Sequence, residues 1–350
     1  MLKFYHVGDV HLGASPDEGF PWSKERKEEI WESFRSLLKR ADQEEVDLLL
    51  LAGDLFHRQP LKRELKELNY LFSNLTKTQI VFIAGNHDYL KRNSYYREFA
   101  WSENVRFLGG QSCQKCVFPQ LHTAVYGFSY HSREITEPLY DCLQPDQDGN
   151  FSILLAHGGD EKHIPIDRRK LGASGFDYIA LGHIHKPQIL LADRMAYAGA
   201  LEPLDRNDTG AHGFLSGTYD QGKIKLTFIP WAAREYIPLE LTVAPGKTDF
   251  EMRDFAARQI HRLGEKNLYK LRLTGFRDPD ILFDLEPYKA LGNIVETADD
   301  TEPYYDLEKL KRLHGDDLIG RYIRRFEGKA LSPVEKRALY LGLSAMLEDA

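Results

Sequence analysis

From its first residue the chain alternates short apolar runs with longer segments in which apolar positions recur every three or four residues. Leu2 to Val7 is a short, mainly apolar run closed by Gly8-Asp9, the pattern of a strand ending in a turn. From about Ser23 the period changes. Ile30, Phe34, Leu37, Leu38 and Ala41 share one helical face, with Ser23 as the expected N-cap. Asp47 to Ala52 is Leu-rich without alternation, which predicts a strand covered on both faces. A second amphipathic helix carries Leu65, Leu68, Leu71, Phe72 and Leu75, and Gln79 to Ala84 is the next strand. Ser152 to Ala156 and Tyr178 to Leu181 repeat the strand signal. Each of these five strands ends in a Gly next to a polar residue able to bind a ligand. In α/β sheets, binding loops gather beyond the carboxyl ends of the strands. Five loops are therefore expected to converge on one place.

Beyond this region the pattern shifts. Met195 to Ile229 reads as short β segments, with alternation in Lys223 to Ile229, and Pro230-Trp231 is the expected domain boundary. Strand (Tyr236–Val243), helix (Asp249–Leu263), strand (Tyr269–Thr274) and strand (Asn293–Thr297) then predict a small α+β module. Residues 306–350 read as helical and charged. Leu307, Leu310 and Leu313 sit at helical spacing before Gly315, and Ser332-Pro333 opens a helix whose expected face is Ala338, Leu339, Leu341, Gly342, Ala345 and Met346. The predicted organisation is an α/β domain at residues 1–230, a capping domain at 231–305 and a helical tail at 306–350.

Composition adds limits. The 350 residues are 42% apolar and 28% charged, with 46 basic against 53 acidic side chains and a net charge of −7. A chain that lived by non-specific attraction to phosphate would be basic. A local basic groove remains compatible with that balance, because field focusing depends on how charge is distributed. No stretch approaches the roughly 18 apolar residues of a membrane span, and the opening residues lack the layout of a signal peptide. A cytoplasmic location without a membrane partner is expected. Cys113, Cys116 and Cys142 give no disulfide framework, and a lone CxxC reads as two ordinary thiols in a reducing compartment.

The chemistry lies in five ordered blocks: Asp9-Val-His11, Gly53-Asp54-Leu-Phe-His57, Gly85-Asn86-His87-Asp88, His157-Gly158 and Gly182-His183-Ile-His185. Any one alone is weak, but the complete set, each block at a strand end, is a strong sign of one site. Carboxylate oxygen and imidazole nitrogen together suit manganese, iron or zinc better than magnesium or calcium. No thiol falls within the set, which argues against a structural zinc site. A pair of ions about 3.5–4 Å apart needs a shared ligand, and a carboxylate with two oxygens is the natural one.

These blocks resemble the signature of calcineurin-like metallophosphoesterases. More narrowly, Asp9-Val-His11-Leu-Gly13, Gly53-Asp54-Leu-Phe and the stretch from Phe176 to His185 resemble the SbcD/YhaO branch of DNA repair nucleases. The resemblance covers residues 1 to about 230 and implies a β-sandwich flanked by helices, acting as a metal-dependent DNA exonuclease and endonuclease. It implies two divalent ions, manganese first and iron or zinc next. Asp9, His11 and His185 would hold one ion, Asn86, His157 and His183 the other, and Asp54 would bridge. His87 would serve the leaving oxygen, Asp88 would orient His87, and His57 would assist phosphate handling. Lys91, Arg92 and Arg97, and with them Arg168-Arg169-Lys170, would meet DNA phosphates. The tail would bind an SbcC/YhaN-type coiled-coil ATPase, and a homodimer is a further partner. Tyr197-Ala-Gly-Ala200 departs from the Pro-Gly-Ser turn of nuclease relatives, which bears on substrate positioning. The rival readings are a nucleotide or small-molecule phosphodiesterase, which the acidic balance favours, and a non-catalytic scaffold on the same fold.

Overall fold

The computed structural model describes residues 1–328 and 330–348, and the expectation for the tail at 329, 349 and 350 lies outside them. Two compact units are present, Met1–Tyr236 and a second from Ile237 onward. The first runs past the expected break at Pro230-Trp231, because the Trp231 backbone N–H donates to the His212 carbonyl and its indole N–H to the Ser33 carbonyl.

The first unit is a sandwich of two six-stranded sheets. β1 (Leu2–Val7), β2 (Leu48–Ala52), β3 (Gln79–Ile83) and β4 (Val105–Phe107) run parallel in one. β5 (Gln114–Phe118), β6 (Thr123–Gly127), β7 (Phe151–His157), β8 (Tyr178–Gly182), β9 (Gln188–Leu191) and β10 (Met195–Tyr197) form the other, with order β5-β6-β7-β8-β10-β9. The chain then returns to the first sheet. β11 (Gly213–Asp220) pairs antiparallel with β1, and β12 (Lys223–Pro230) with β11. Helices α1 (Ser23–Gln43) and α2 (Lys62–Ser73) cover the first sheet, and the short α3 (Arg168–Gly172) accompanies the second.

The unalternating Leu run of β2 has the expected consequence. Leu49 and Leu51 face α1 and α2, in a core with Ile30, Phe34, Leu37, Leu65 and Phe72. Leu48, Leu50 and Ala52 face inward, against Val125, Ile153, Leu155, Tyr178 and Ala180 of the second sheet. Each Leu fully buried in this way contributes about 1.5–3 kcal/mol. The third layer repeats the logic: Leu154, Ala156, Ile179 and Leu181 leave the sandwich interior and pack with Tyr140 and Leu171. One local expectation fails. Ser23 does not cap α1; the cap position is Trp22, whose side chain makes no capping hydrogen bond and donates instead to Asp17, while the Ser23 hydroxyl donates to the Pro16 carbonyl.

In the second unit, β13 (Tyr236–Val243), β14 (Leu268–Arg277) and β15 (Asn293–Asp299) form a sheet, with the two-residue β16 (Glu302–Pro303) on β14. Helix α4 (Asp249–Leu263) opens on a Thr248–Glu251 capping box and packs Met252, Ala256 and Ile260 on that sheet. The tail folds as α5 (Leu307–His314), α6 (Leu318–Arg324) and α7 (Pro333–Glu348) around a separate cluster of Tyr305, Ile319, Ile323, Leu339 and Leu343. The α7 face meets expectation only in part, at Leu339 and Met346. Leu339 and Leu343 are buried, whereas Ala338, Leu341 and Ala345 are exposed, because the close approach of Gly342 to Tyr322 sets the helix rotation.

Candidate metal centre

All five loops do meet, at the carboxyl ends of β1, β2, β3, β7 and β8. Asp9, His11, Asp54 and His157 are at most 2% exposed, Asn86 is buried, and His183 and His185 are partly accessible. The crowding demands glycine at two points: a Cβ on Gly53 would collide with the His157 ring, and one on Gly85 with Asp54. It also bends the ligand backbone. Asp9, His11, Asp54 and His183 have φ of 46°, 50°, 48° and 95°, a region that costs a non-glycine residue about 1–3 kcal/mol.

The side chains fall into two groups. The ligand-type atoms of Asp9, His11 and His185 lie within 4.8 Å of one another. Opposite them, His157 Nε2 and His183 Nδ1 converge on Asn86 Oδ1 at 2.8 and 3.2 Å. Asp54 stands between, with Oδ2 at 3.4 Å from His157 Nε2 and 3.8 Å from His11 Nε2. Its other oxygen accepts from the His87 backbone N–H at 2.8 Å.

Electrostatics fit a cation. Burial alone would raise the Asp54 carboxyl, yet His157 and His11 hold it far below its ordinary value. Burial would likewise lower His157 and His185. The Asp54 and Asp9 carboxylates instead push His157 up to about 9, and Asp208 with Asp9 does the same for His185. Carboxylates thus favour positive charge at both imidazoles, the place a divalent ion takes over. The buried Nε2 of His11 has no hydrogen-bond partner among the described residues, a deficit worth about 1–3 kcal/mol that a bound ion removes. The residues present therefore fit divalent metal ions.

His57 and His87 flank the buried His11 ring, 5.3 and 4.8 Å away between centroids, and His87 Nδ1 donates to the His57 carbonyl at 3.1 Å. Asp88 does not orient His87. Its buried carboxylate accepts from Gly85 N–H, Phe56 N–H and the Tyr96 hydroxyl at 2.8, 3.1 and 2.9 Å. It clamps the Asn86 loop to the Asp54 loop, and burial together with the Asp54 charge pushes it up to about 7. Lys91 and Arg92 are exposed on the Asn86 loop. Arg97 instead donates to the carbonyls of Lys91 and Leu90 and so shapes that loop. Arg168, Arg169 and Lys170 are exposed on α3. In the Tyr197–Ala200 turn, Gly199 has φ of 80° and Ala200 N–H donates to the His185 carbonyl at 2.9 Å, so the turn still supports a ligand loop.

Cys113 and Cys116 contact different hydrophobic clusters, and all three cysteines are free. Two carboxylates next to the ligand histidines escaped the sequence reading: Asp160, 2.7 Å from His183 Nε2, and Asp208, 2.9 Å from His185 Nδ1. Asp160 follows His157 by three residues and had a local signal. Asp208 had none.

The profile of the calcineurin-like phosphoesterase family matches residues 2–187, which span every one of the candidate ligands. The chain belongs to that family. Like the family, it is a metal-dependent phosphoesterase, a hydrolase that uses divalent ions. It is similar to the uncharacterized metallophosphoesterase YhaO of Bacillus subtilis, 30% identical over 328 residues, covering 86% of this chain and 78% of that one. It is also similar to the DNA double-strand break repair protein Mre11 of Methanocaldococcus jannaschii (28% identical, 59% of this chain and 58% of that one) and of Archaeoglobus fulgidus (29% identical, 58% and 51%). The chain thus spans little more than half the length of those two repair proteins. No described helix is long and apolar enough to cross a membrane.

Proposed function

We propose that this phosphoesterase is a manganese-dependent DNA exonuclease and endonuclease of DNA repair, working with an SbcC/YhaN-type coiled-coil ATPase. The observation that carries this reading is its similarity, across the unit that holds the site, to proteins named for double-strand break repair. The donor set of carboxylates, imidazoles and one amide oxygen supports manganese, with iron or zinc as alternatives. When bound, two such ions supply an activated water and neutralise charge on the phosphoryl oxygens. Asp9, His11 and His185 would hold one ion, Asn86, His157 and His183 the other, and Asp54 would serve both. His87 is set beside the leaving oxygen as proton donor, with its Nδ1 proton held by the His57 carbonyl and Nε2 left for the substrate. His57 contributes to phosphate handling from the same rim. Lys91 and Arg92 meet flanking DNA phosphates, while Arg97 holds their loop.

In this reading the unit Met1–Tyr236 is the nuclease domain, the α+β module that follows is an accessory domain, and the tail 306–350 takes the ATPase, in the cytoplasm. Hydrolysis of labelled duplex DNA, single-stranded DNA and a small chromogenic diester with manganese tests it. DNA turnover should fall steeply with salt. Lys91→Ala with Arg92→Ala should reduce it several-fold more than diester hydrolysis. Equal losses on both substrates, with no salt dependence, would instead favour a nucleotide or small-molecule phosphodiesterase, the reading consistent with the net charge of −7.

A further inference from the structure

Three ligand imidazoles are held from outside by an acceptor on the ring nitrogen that faces away from the centre. For His157 it is a backbone carbonyl, Ala52 O, 2.8 Å from Nδ1. For the other two it is a carboxylate: Asp208 Oδ2 at 2.9 Å from His185 Nδ1, and Asp160 Oδ2 at 2.7 Å from His183 Nε2. An imidazole nitrogen that binds a cation carries no proton, so the proton sits on the other nitrogen. An acceptor there fixes both the tautomer and the ring plane, and a carboxylate also makes the ring a stronger donor. The convergence of His183 Nδ1 and His157 Nε2 on Asn86 Oδ1 agrees with these outer contacts.

We propose that Asp208 and Asp160 are positioning residues that divide the labour between the two ion sites of the reading above, on which this inference rests. Asp208 acts through His185 on the site of Asp9, His11 and His185. Asp160 acts through His183 on the site of Asn86, His157 and His183. The two carboxylates are not built alike. Asp208 is 16% exposed and also accepts from the Leu204 N–H at 3.0 Å. Its loop follows Glu202, whose buried carboxylate is fixed by Arg26, Ser33 and the Ala233 N–H. Asp160 is 46% exposed, and its remaining contacts are the backbone of Lys162 and His163 and the His163 ring. Water screens an exposed carboxylate and leaves it orientational freedom that a tethered, less exposed one has already lost. The inner ligands add to the contrast, since the first site has the Asp9 carboxylate where the second has the neutral Asn86 amide. The first site therefore holds its ion tightly, and the second is the one that exchanges.

Asp160, His163 and His183 also lie close enough to hold an ion of their own. That arrangement would strip His183 of both ring protons if its Nδ1 serves the second site, and it is disfavoured for this reason. Manganese titration of chelator-stripped full-length protein, by calorimetry with paramagnetic counting of bound ions, separates these cases. Wild type should take up two ions in two resolved steps. Asp160→Asn should weaken the looser step by about 10–100-fold and spare the tighter one, and Asp208→Asn should weaken the tighter step by a similar factor. Asp160→Glu should recover part of the loss, and metal-free melting temperatures close to wild type would exclude misfolding. Two ions in wild type with unchanged affinities in both variants, or equal weakening of both steps by either one, overturns the positioning roles. A third ion lost in Asp160→Asn overturns the assignment of Asp160. A single ion in wild type overturns the two-ion reading itself.

Discussion

His87 and Asp88 are neighbours in the chain with unlike surroundings, and the difference decides what each can do. His87 is partly exposed, donates through Nδ1 to the His57 carbonyl, and sets its ring nearly perpendicular to that of His11. Asp88 is fully buried, with three donors on its two oxygens. Replacing His87 should therefore affect chemistry, whereas replacing Asp88 should loosen two loops. His87→Gln is expected to keep both ions while lowering turnover by about 10²–10⁴-fold, the usual scale for loss of a general acid. Metal counting together with kcat on a phosphodiester of poor leaving group checks it, and near-normal turnover would remove His87 from the proton-donor role.

Among the elements, β1 does two jobs: it leads into Asp9 and it ties the sheets together. Its His6 lies wholly inside the sandwich, with Nδ1 accepting from the Tyr178 hydroxyl and Nε2 donating to the Leu181 carbonyl, both on β8. Burial lowers this imidazole to about 3, against an ordinary value of 6.5. The fold thus requires neutral His6, while the unfolded chain binds the proton. Stability from this group is fully present above pH 6.5 and is lost as pH falls from there toward 3. Between pH 7.5 and 5 the loss should be about 2 kcal/mol. Urea unfolding of metal-free wild type and His6→Gln at both pH values should show their stability difference shrinking by that amount. A difference independent of pH would mean that His6 is not held neutral.

The whole molecule carries more than a phosphoesterase needs. The tail has its own hydrophobic cluster, distinct from that of the sheet and α4, yet leaves Leu313, Leu318 and Leu341 between 63% and 72% exposed. Large apolar side chains left exposed in this number on the three tail helices fit a surface meant for a partner. Deleting 306–350 is expected to leave manganese uptake and small-diester hydrolysis intact and to abolish co-purification with an SbcC/YhaN-type ATPase. Leu318→Glu with Leu341→Glu should do the same in the full chain. Undisturbed co-purification in both would place the contact elsewhere, and loss of metal uptake in the truncated protein would make the tail part of the catalytic unit.

Much of this was legible in the sequence because it follows from local rules. Apolar runs such as Leu48–Ala52 and the 3.6-residue period of Ile30–Ala41 fix strand and helix through burial alone. A Gly beside Asp, Asn or His at each strand end marks the loops where candidate ligands stand. Ser332, expected to open its helix, does so with Glu335 through contacts three residues apart. What escaped depends on neighbours far apart in the chain. Asp208 is 23 residues from His185 and finds it only because Arg26, Ser33 and Glu202 fix the intervening loop against α1. Asp88 sits beside His87 in sequence but turns inward to Phe56 and Tyr96, since a buried carboxylate takes the donors that the packed loops offer. The exposed side of α7 was equally hidden, because Tyr322 meets Gly342 only after the three tail helices have packed. Side-chain type and period therefore wrote the elements and the candidate ligand positions, and tertiary packing alone chose which carboxylates stand behind them.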